Sequence, residues 1–343
     1  MQALSLPDVP PAAISALLAN AAARAPWRMS PLAGGGNNRV IRIEAGGRDL
    51  VLKQYFHHPD DPRDRLGAEF GFSSFAWRNG IRCLAEPIAA DAAQHLGLYA
   101  FVPGRRPDAH DVDDAAVAQA LDFVLALDAL RGRPDAARLA DASEACFRFA
   151  DHLALVERRV RRLGRIELHD TLQAEAAVFV SQVLVPAWDK LAAYTRETAS
   201  RAGIALDEEL PPAERVISPS DFGFHNALRA EDGTIRFIDF EYAGWDDPAK
   251  LVCDFFNQVA VPVPRVHFAA FADRIAAARP RPELQRRRFA LLLPVYAMKW
   301  ACIILNDFLP AGAARRRFAG AADSARREQQ LLKARKVIAA LSV

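Results

Sequence analysis

Residues 216–248 constrain this 343-residue chain more than any other stretch. They read VISPSDFGFHNALRAEDGTIRFIDFEYAGWDDP and contain an acid, an amide and a second acid in order: Asp221, Asn226 and Asp239. An Asp-Gly pair separates two apolar-rich runs within the stretch, which is a strong signal for a β-hairpin. The predicted hairpin, residues 226–238, would bring Asn226 and Asp239 side by side, with Asp221 on the loop just before it.

These three polar residues fit phosphoryl transfer from ATP. The transition state of that reaction is highly charged, so catalysis consists mostly of positioning and charge neutralisation. Asp221 can accept the proton of an attacking hydroxyl group. The amide oxygen of Asn226 and the carboxylate of Asp239 can hold Mg²⁺, which prefers hard oxygen ligands.

The same stretch resembles the catalytic core of the aminoglycoside phosphotransferase and choline kinase family, a branch of the protein-kinase-like fold. The family's first motif ends in Asp, with Asn five residues later, as at Asp221 and Asn226. Its second motif matches Ile238, Asp239, Gly244, Asp247 and Pro248. The resemblance implies that Asp221 is the catalytic residue and that Asn226 and Asp239 are the metal ligands.

One position departs from the family pattern. The family has His-Gly before the first Asp, whereas this chain has Pro219 and Ser220. Because that His mainly packs the loop, the exchange bears on loop geometry more than on chemistry. The tripeptide at residues 221–223, Asp-Phe-Gly, matches the metal-binding tripeptide of protein kinases, but no matching catalytic loop precedes it.

The N-terminal part predicts a helix over residues 10–25 and then a β-meander. Its strands are expected at residues 27–33, 39–44 and 49–56. The first turn contains Gly34, Gly35, Gly36 and Asn37. Glycine permits backbone N–H groups to approach a phosphate closely, although a plain flexible hairpin has the same composition. The resemblance implies that residues 34–38 cover the phosphates of the nucleotide.

Lys53 lies in the third predicted strand, flanked by apolar residues. Read alone, a strand lysine is usually solvated on the open face of a sheet. The resemblance instead implies that Lys53 contacts the α- and β-phosphates and that a glutamate of the next helix holds it. That helix is predicted over residues 65–78, and Glu69 is its only acid.

Two further strands are predicted at residues 86–90 and 96–102. The second ends in a segment that looks like the family's hinge, where backbone groups hydrogen-bond adenine near Tyr99, Phe101 and Val102. An edge strand that ends at Pro-Gly is an equally compatible interpretation. We place the lobe boundary near Gly104, which gives a nucleotide-binding lobe of residues 1–103 and a catalytic and acceptor-binding lobe of residues 104–343.

The remaining pattern is mainly helical. Helices are predicted over residues 112–130, 137–163, 171–199, 249–259, 268–278, 282–309 and 311–341. The expected fold is therefore α+β: a bilobal protein-kinase-like fold, with a small antiparallel sheet and one main helix in the N-lobe and a larger, mostly helical C-lobe.

Composition excludes several other classes of protein. The formal net charge is +2, so no strong field favours nucleic acid or an anionic membrane as a partner. The four cysteines are scattered and form no ligand cluster, which favours a reducing cytoplasm. The N-terminus shows no secretory pattern. The most apolar stretch, residues 289–305, is interrupted by Pro294 and Lys299, as expected of a buried helix rather than a membrane span.

The sequence thus predicts an ATP- and Mg²⁺-dependent kinase whose acceptor is a hydroxyl group of a small molecule. Asp246 and Asp247 would suit a cationic acceptor, and Tyr242 and Trp245 could contact one by cation–π attraction, although Asp247 could equally cap a helix. The alternative is a catalytically weak or inactive nucleotide-binding or scaffold protein on the same fold, which the exchange at residues 219–220 favours. A protein kinase is disfavoured because no Ala-Pro-Glu motif or activation segment follows Asp239.

Overall fold

The computed structural model describes residues 9–23, 26–32, 38–58, 61, 63–309 and 324–341. The chain forms two compact units, Met1–Ser143 with Ile217–Trp245, and Glu144–Val216 with Asp246–Val343. The lobe boundary predicted near residue 104 falls inside the first unit and stays a prediction. Residues 34–37 of the glycine-rich turn lie outside the described residues.

The first unit contains an antiparallel sheet of five strands. The strands are β1 (Trp27–Pro31), β2 (Arg39–Ala45), β3 (Arg48–Gln54), β4 (Pro87–Asp91) and β5 (Leu96–Ala100), in the order β1-β2-β3-β5-β4. Alternate residues of β2 and β3, such as Ile43 and Leu50, are buried, as expected for strands with one covered face. They share a hydrophobic core with Leu17 and Leu18 of helix α1 (Pro11–Asn20).

Two helices complete the early part of this unit. Helix α2 (Arg65–Arg78) has the predicted bounds and begins after Asp64, whose carboxylate accepts a hydrogen bond from the N–H of Gly67 at 2.8 Å. Helix α3 (Asp114–Asp128) is capped in the same way by Asp113. Such caps satisfy N–H groups that have no partner inside the helix.

Four short strands follow in the central stretch: β6 (Val216–Ser218), β7 (Ala227–Arg229), β8 (Ile235–Phe237) and β9 (Gly244–Asp246). β7 and β8 form the antiparallel hairpin that the Asp-Gly pair predicts, and β6 pairs with β9. Phe123 of α3 stacks on Phe237 of β8, with ring centroids 5.0 Å apart. The hairpin is therefore supported by the core of the first unit.

The single helix predicted over residues 137–163 is wrong in its first half. A short 3₁₀ turn, Ala136–Arg138, is followed by irregular chain until helix α4 (Phe149–Leu163). The Ala140 carbonyl accepts a hydrogen bond from the N–H of Trp245, and the Trp245 carbonyl accepts one from Ala142, both at 2.9 Å. Backbone pairing with the central stretch therefore replaces helical hydrogen bonds here.

The second unit is helical. Its helices are α4, α5 (Thr171–Phe179), α6 (Val185–Arg201), α7 (Pro248–Asn257), α8 (Phe268–Ala277), α9 (Pro282–Ile304) and α10 (Ser324–Ala339). α9 contacts α4, α6, α7, α8 and α10 and contributes fully buried residues such as Phe289 and Tyr296. A π-helical turn, Val180–Leu184, joins α5 to α6. Pro186 lacks the N–H of a regular helical hydrogen bond, which a local change of helix type accommodates.

Two stretches of the described chain are long and apolar enough to cross a membrane by length and composition. In Thr171–Arg201, 39% of the most apolar window is buried inside the protein, and in Pro282–Phe308 the share is 67%. The core helices of soluble proteins meet the same test. The cytoplasmic location expected from the sequence stays a prediction.

Candidate active site

The β7–β8 hairpin places Asn226 beside Asp239. The N–H of Ile238 donates to the Asn226 carbonyl at 2.9 Å, which continues the hairpin ladder by one pair. Gly233 in the turn has φ +84°, a conformation that favours glycine. The turn residues thus fix which side chains meet at the open end of the hairpin.

Asp221 is held by two side chains that follow it closely. Asn226 Nδ2 donates to the Asp221 carbonyl at 3.0 Å and to Oδ2 at 3.3 Å. His225 Nε2 donates to Asp221 Oδ1 at 3.2 Å. The Asp221 side chain keeps 37% of its surface exposed. The carboxylate is therefore oriented and still accessible, as a proton acceptor must be.

Ser220, which stands where the family has glycine, has φ +53°. This is the left-handed region, where a side chain is disfavoured. The backbone N–H of Ser220 donates to Ser218 Oγ at 3.0 Å, and Ser220 is 9% exposed. The loop thus retains the backbone conformation that a glycine would take at this position.

Lys53 lies between two acids. Its Nζ donates to Glu69 Oε2 at 2.5 Å and also to Asp239 Oδ1. Lys53 is 7% exposed and Glu69 is 5% exposed, whereas the Asp239 side chain is 35% exposed. Burial lowers the pKa of Lys53, but the charges of Asp239 and Glu69 outweigh it and raise that pKa well above its ordinary value. Lys53 is therefore a fixed positive charge.

Glu69 is the deepest member of this group. Burial raises the pKa of Glu69, the Lys53 ammonium opposes the rise, and the Asp239 charge adds to it. Behind it, Tyr55 and Tyr99 share a hydrogen bond between their hydroxyl groups at 2.8 Å. Burial raises the pKa of both tyrosines, so both stay neutral donors. A polar network therefore closes the inner wall of the site.

A cavity of about 400 Å³ opens onto these groups within the first unit. Lys53, Glu69, Asn226 and Asp239 contribute its polar wall. The rest is largely apolar, from Leu32, Val40, Val51, Ala85, Leu228, Phe237, Ile238 and Phe240. An apolar slot with a few convergent polar groups is typical of a small-ligand site. A nucleotide has matching parts, because its base is flat and largely apolar and its phosphates are charged.

The predicted hinge residues Tyr99, Phe101 and Val102 all line the cavity. Tyr99 is 5% exposed, and its hydroxyl points to Tyr55. The Phe101 N–H donates to the carbonyl of Asp49 at 3.0 Å. The strand therefore reaches the cavity, and its adenine-binding role stays a prediction.

Gly104 explains how the chain leaves the hinge. Arg105 and Arg229 exchange backbone hydrogen bonds at 3.0 and 2.8 Å. Gly104 has φ +147°, and an added Cβ would lie 2.9 Å from the carbonyl oxygen of Arg229. Only glycine allows this approach, which joins the hinge to the β7–β8 hairpin.

The four residues predicted to bind an acceptor are differently placed. Tyr242 lies under the guanidinium of Arg63, 5.7 Å from the ring centroid, and the Trp245 indole N–H donates to the Ala136 carbonyl at 3.1 Å. Both belong to the first unit and keep part of their surface exposed.

Asp246 and Asp247 belong to the second unit and have no exposed surface. Asp246 accepts from Lys250 Nζ at 2.6 Å, and burial raises its pKa although Lys250 opposes the rise. Asp247 caps α7 through the Ala249 N–H and pairs with Arg288 and with His152. Every carboxylate oxygen of the two acids therefore has an internal partner, and their role in acceptor binding stays a prediction.

The donor set fits Mg²⁺ better than a transition metal. Within the described residues, no group of three or more His, Cys, Asp or Glu side chains could hold a metal. The Asn226 amide nitrogen is taken by Asp221, and Lys53 contacts one oxygen of Asp239. An amide oxygen and a carboxylate oxygen remain, and Mg²⁺ typically combines one or two such ligands with phosphates and water.

Sequence reasoning missed three polar residues around the site: Tyr55, His225 and Glu241. The sequence could have indicated Glu241, because an acid two residues after Asp239 requires a partner if it is buried. No sequence pattern indicates the other missed residues, because their contacts connect distant segments or depend on the turn after Asp221.

Comparison with known proteins identifies the class. A family model described as phosphotransferase enzyme family (APH) matches residues 28–290. Spectinomycin phosphotransferase APH(9)-Ia, solved with ADP and spectinomycin, aligns with a TM-score of 0.57 and 12% identity over 91% of this chain and 92% of that one. Macrolide 2′-phosphotransferase MphH from Brachybacterium faecium aligns with a TM-score of 0.56 and 18% identity over 96% and 99%. Choline kinase LicA from Streptococcus pneumoniae aligns with a TM-score of 0.56 and 11% identity over 96% of this chain and 99% of that one. No curated protein matches the chain.

The structural neighbours show a kinase-like α+β fold, so the predicted fold class is confirmed. The chain belongs to the phosphotransferase enzyme family, and the resemblance stated from the motifs is confirmed. Family membership supports transfer of phosphate to a small molecule.

Proposed function

We propose that this protein is an ATP- and Mg²⁺-dependent kinase that transfers the γ-phosphate to a hydroxyl group of a small molecule. The observation that carries the proposal is the convergence of Lys53, Glu69, Asn226 and Asp239 on one cavity, with Asp221 hydrogen-bonded to Asn226. A cation, metal-binding oxygens and an accessible carboxylate are what phosphoryl transfer needs.

In this proposal the base lies among the apolar residues near Tyr99 and Val102, and Lys53 contacts the phosphates. The contact with Glu69 keeps Lys53 extended toward the cavity, so its charge is in place before the nucleotide binds. Residues 34–37 are proposed to cover the phosphates. Solved neighbours were crystallised with ADP or ATP, which supports a nucleotide as the ligand of this chain.

Asn226 and Asp239 would hold Mg²⁺. The ion, when bound, neutralises charge that develops on the transferred phosphoryl group. Before the nucleotide binds, the carboxylate of Asp239 forms an ion pair with Lys53. Binding of the metal and the phosphates would therefore replace this internal ion pair rather than expose a bare charge.

Asp221 orients the acceptor hydroxyl and receives its proton. Asn226 and His225 fix the two carboxylate oxygens, which limits rotation of the side chain. Placement contributes more than basicity here, since proton transfer can be late in a loose transition state.

The acceptor is proposed to be a hydroxylated small molecule, as in neighbours that are kinases of spectinomycin, macrolides or choline. Tyr242 and Trp245 remain the candidates for contact with it. The inactive-scaffold alternative rests on the exchange at Pro219 and Ser220. Ser220 keeps the glycine-like backbone, and Asp221 remains hydrogen-bonded to Asn226, which supports the active kinase instead.

A thermal-shift titration with ATP, with and without Mg²⁺, tests the nucleotide site. Ligand at about 100 times its Kd should add about 2.7 kcal/mol to the free energy of unfolding. We expect a Mg²⁺-dependent rise in Tm that Asp239→Asn abolishes. The matched control is Asp232→Asn, in the exposed hairpin turn, which should behave as wild type.

Turnover is then tested by ADP release over a panel of amino sugars, neutral sugars and amino alcohols. Asp221→Asn should retain the thermal shift and lose turnover. Wild-type protein that shows no shift at millimolar Mg·ATP would refute the proposal.

A further inference from the structure

Glu241 is a buried acid that the proposed chemistry does not use. It follows Asp239 by two residues, and 2% of its surface is exposed. Its Oε2 accepts a hydrogen bond from Asn38 Nδ2 at 2.7 Å and forms an ion pair with Arg65 Nε at 3.7 Å. Burying a carboxylate is costly unless such partners compensate it, so these contacts define where Glu241 can lie.

Asn38 is held through both atoms of its amide. Its Oδ1 accepts from the backbone N–H of Phe56 at 3.0 Å, while its Nδ2 donates to Glu241. Asn38 is 7% exposed, directly precedes β2 and lines the nucleotide cavity. The residue therefore fixes the start of β2, where the glycine-rich turn ends, relative to Glu241.

Arg65 connects Glu241 to helix α2. It is the first residue of that helix, and its guanidinium also donates to the Phe56 carbonyl at 3.1 Å and to Asp61 Oδ2 at 2.7 Å. Glu69 lies one turn further along the helix and holds Lys53. A displacement of the start of α2 would thus move the residue that positions Lys53.

We propose that Glu241 is a positioning residue for the nucleotide: it ties the start of β2 and the start of α2 to the segment that carries Asp239. The inference rests on the proposed function and gives Glu241 a role through Asn38 and Arg65 rather than as a metal ligand. Loss of the tie weakens binding of Mg·ATP, while Asp221 and Asn226 stay in place because other contacts hold them.

A double-mutant cycle on the Asn38–Glu241 hydrogen bond tests this role. Asn38→Asp places two carboxylates against each other, and like charges at this distance repel. We expect the Kd for Mg·ATP, measured by calorimetry, to rise about tenfold or more. Adding Glu241→Gln restores both the net charge and a hydrogen bond with its direction reversed, since the new amide donates to the new carboxylate. The double variant should recover most of the lost affinity for Mg·ATP, although Arg65 loses its charged partner at position 241.

The matched control is Asn79→Asp, which faces Asp135 at 3.2 Å at the far end of α2 and does not line the cavity. It should leave the Kd unchanged. Tm and far-UV circular dichroism of the nucleotide-free variants separate folding from binding. Should Asn38→Asp not fold, Asn38→Ser removes the amide without adding a charge and should raise the Kd in the same direction.

The outcomes separate this inference from the proposed function. Wild-type protein without Mg·ATP binding would refute the function itself. Wild-type binding with an unchanged Kd in Asn38→Asp, or no recovery in the double variant, would refute the positioning role. A higher Mg²⁺ requirement in Glu241→Gln that the second substitution does not correct would make Glu241 a metal ligand and would also overturn the proposal.

Discussion

Asp247 offers a quantitative test of the charge network behind the motif. It caps α7 through the Ala249 N–H at 2.7 Å and faces the buried cation Arg288 and the His152 ring. Asp247→Asn keeps an equally good helix cap, removes the charge and places an amide NH2 group where Oδ2 faces Arg288 and His152. We therefore expect the cost of this substitution to come from Arg288 and His152 losing their anionic partner.

The pKa of Asp247 gives the magnitude of the stability that its charge contributes. Burial alone would raise it, but the Arg288 charge and the His152 hydrogen bond lower it from 3.8 to about 2. This lowering corresponds to about 2 kcal/mol of stability at pH 7. Because the folded-state pKa is depressed, the contribution is present above the unfolded pKa near 4 and is lost as the pH falls toward 2. Roughly half of this contribution should remain at pH 3.

Urea unfolding at pH 7, 5, 4 and 3 measures this contribution on wild type and Asp247→Asn. The matched control is Asp113→Asn, an exposed helix cap on α3 whose nearest cation lies 3.6 Å away. The control should cost less than about 0.5 kcal/mol at every pH. Two results would contradict the argument: equal costs for the two variants at pH 7, or a cost for Asp247→Asn that does not shrink between pH 5 and pH 3.

Three further predictions concern backbone and thiol chemistry. Ser220→Gly should raise Tm and retain activity, because glycine takes φ +53° without steric cost, whereas Ser220→Val should lower Tm by a few degrees in the same thermal scan. Gly244→Ala should cost about 2 kcal/mol or more in urea unfolding, since its Cβ would lie 2.3 Å from the carbonyl oxygen of Ala140. Burial raises the pKa of Cys302 to about 12, so a maleimide at pH 7 should label it only after unfolding; labelling of the folded protein would contradict this.

Local signals account for the parts of the fold that the sequence predicts well. Helix α2 begins after an Asp cap and ends at Arg78 as expected, and the Asp-Gly turn gives the β7–β8 hairpin. Each of these depends on residues close together in the chain. The hairpin alone places Asn226 next to Asp239, so the center of the candidate site follows from one turn and one pair of strands.

Long-range contacts account for what the sequence does not predict. The segment before α4 has helical composition, yet its backbone pairs with Trp245 instead. The contact between Asn38 and Glu241 joins residues 203 positions apart, and no periodicity indicates it. Asp247 shows the converse: its place in the motif fits both a helix cap and an acceptor ligand, and its contact with Arg288 joins residues 41 positions apart.

Two residues with positive φ begin and end the segment that contains Asp221, Asn226 and the hairpin. Ser220 has φ +53° and Asp239 has φ +69°, and neither is glycine. Such conformations cost roughly 1 kcal/mol or more each and persist only where surrounding contacts impose them. Here Ser218 Oγ accepts from Ser220, and Lys53 holds Asp239. We infer that these contacts hold the strain at both ends of the segment, next to Asp221 at one end and at Asp239, which lines the cavity, at the other.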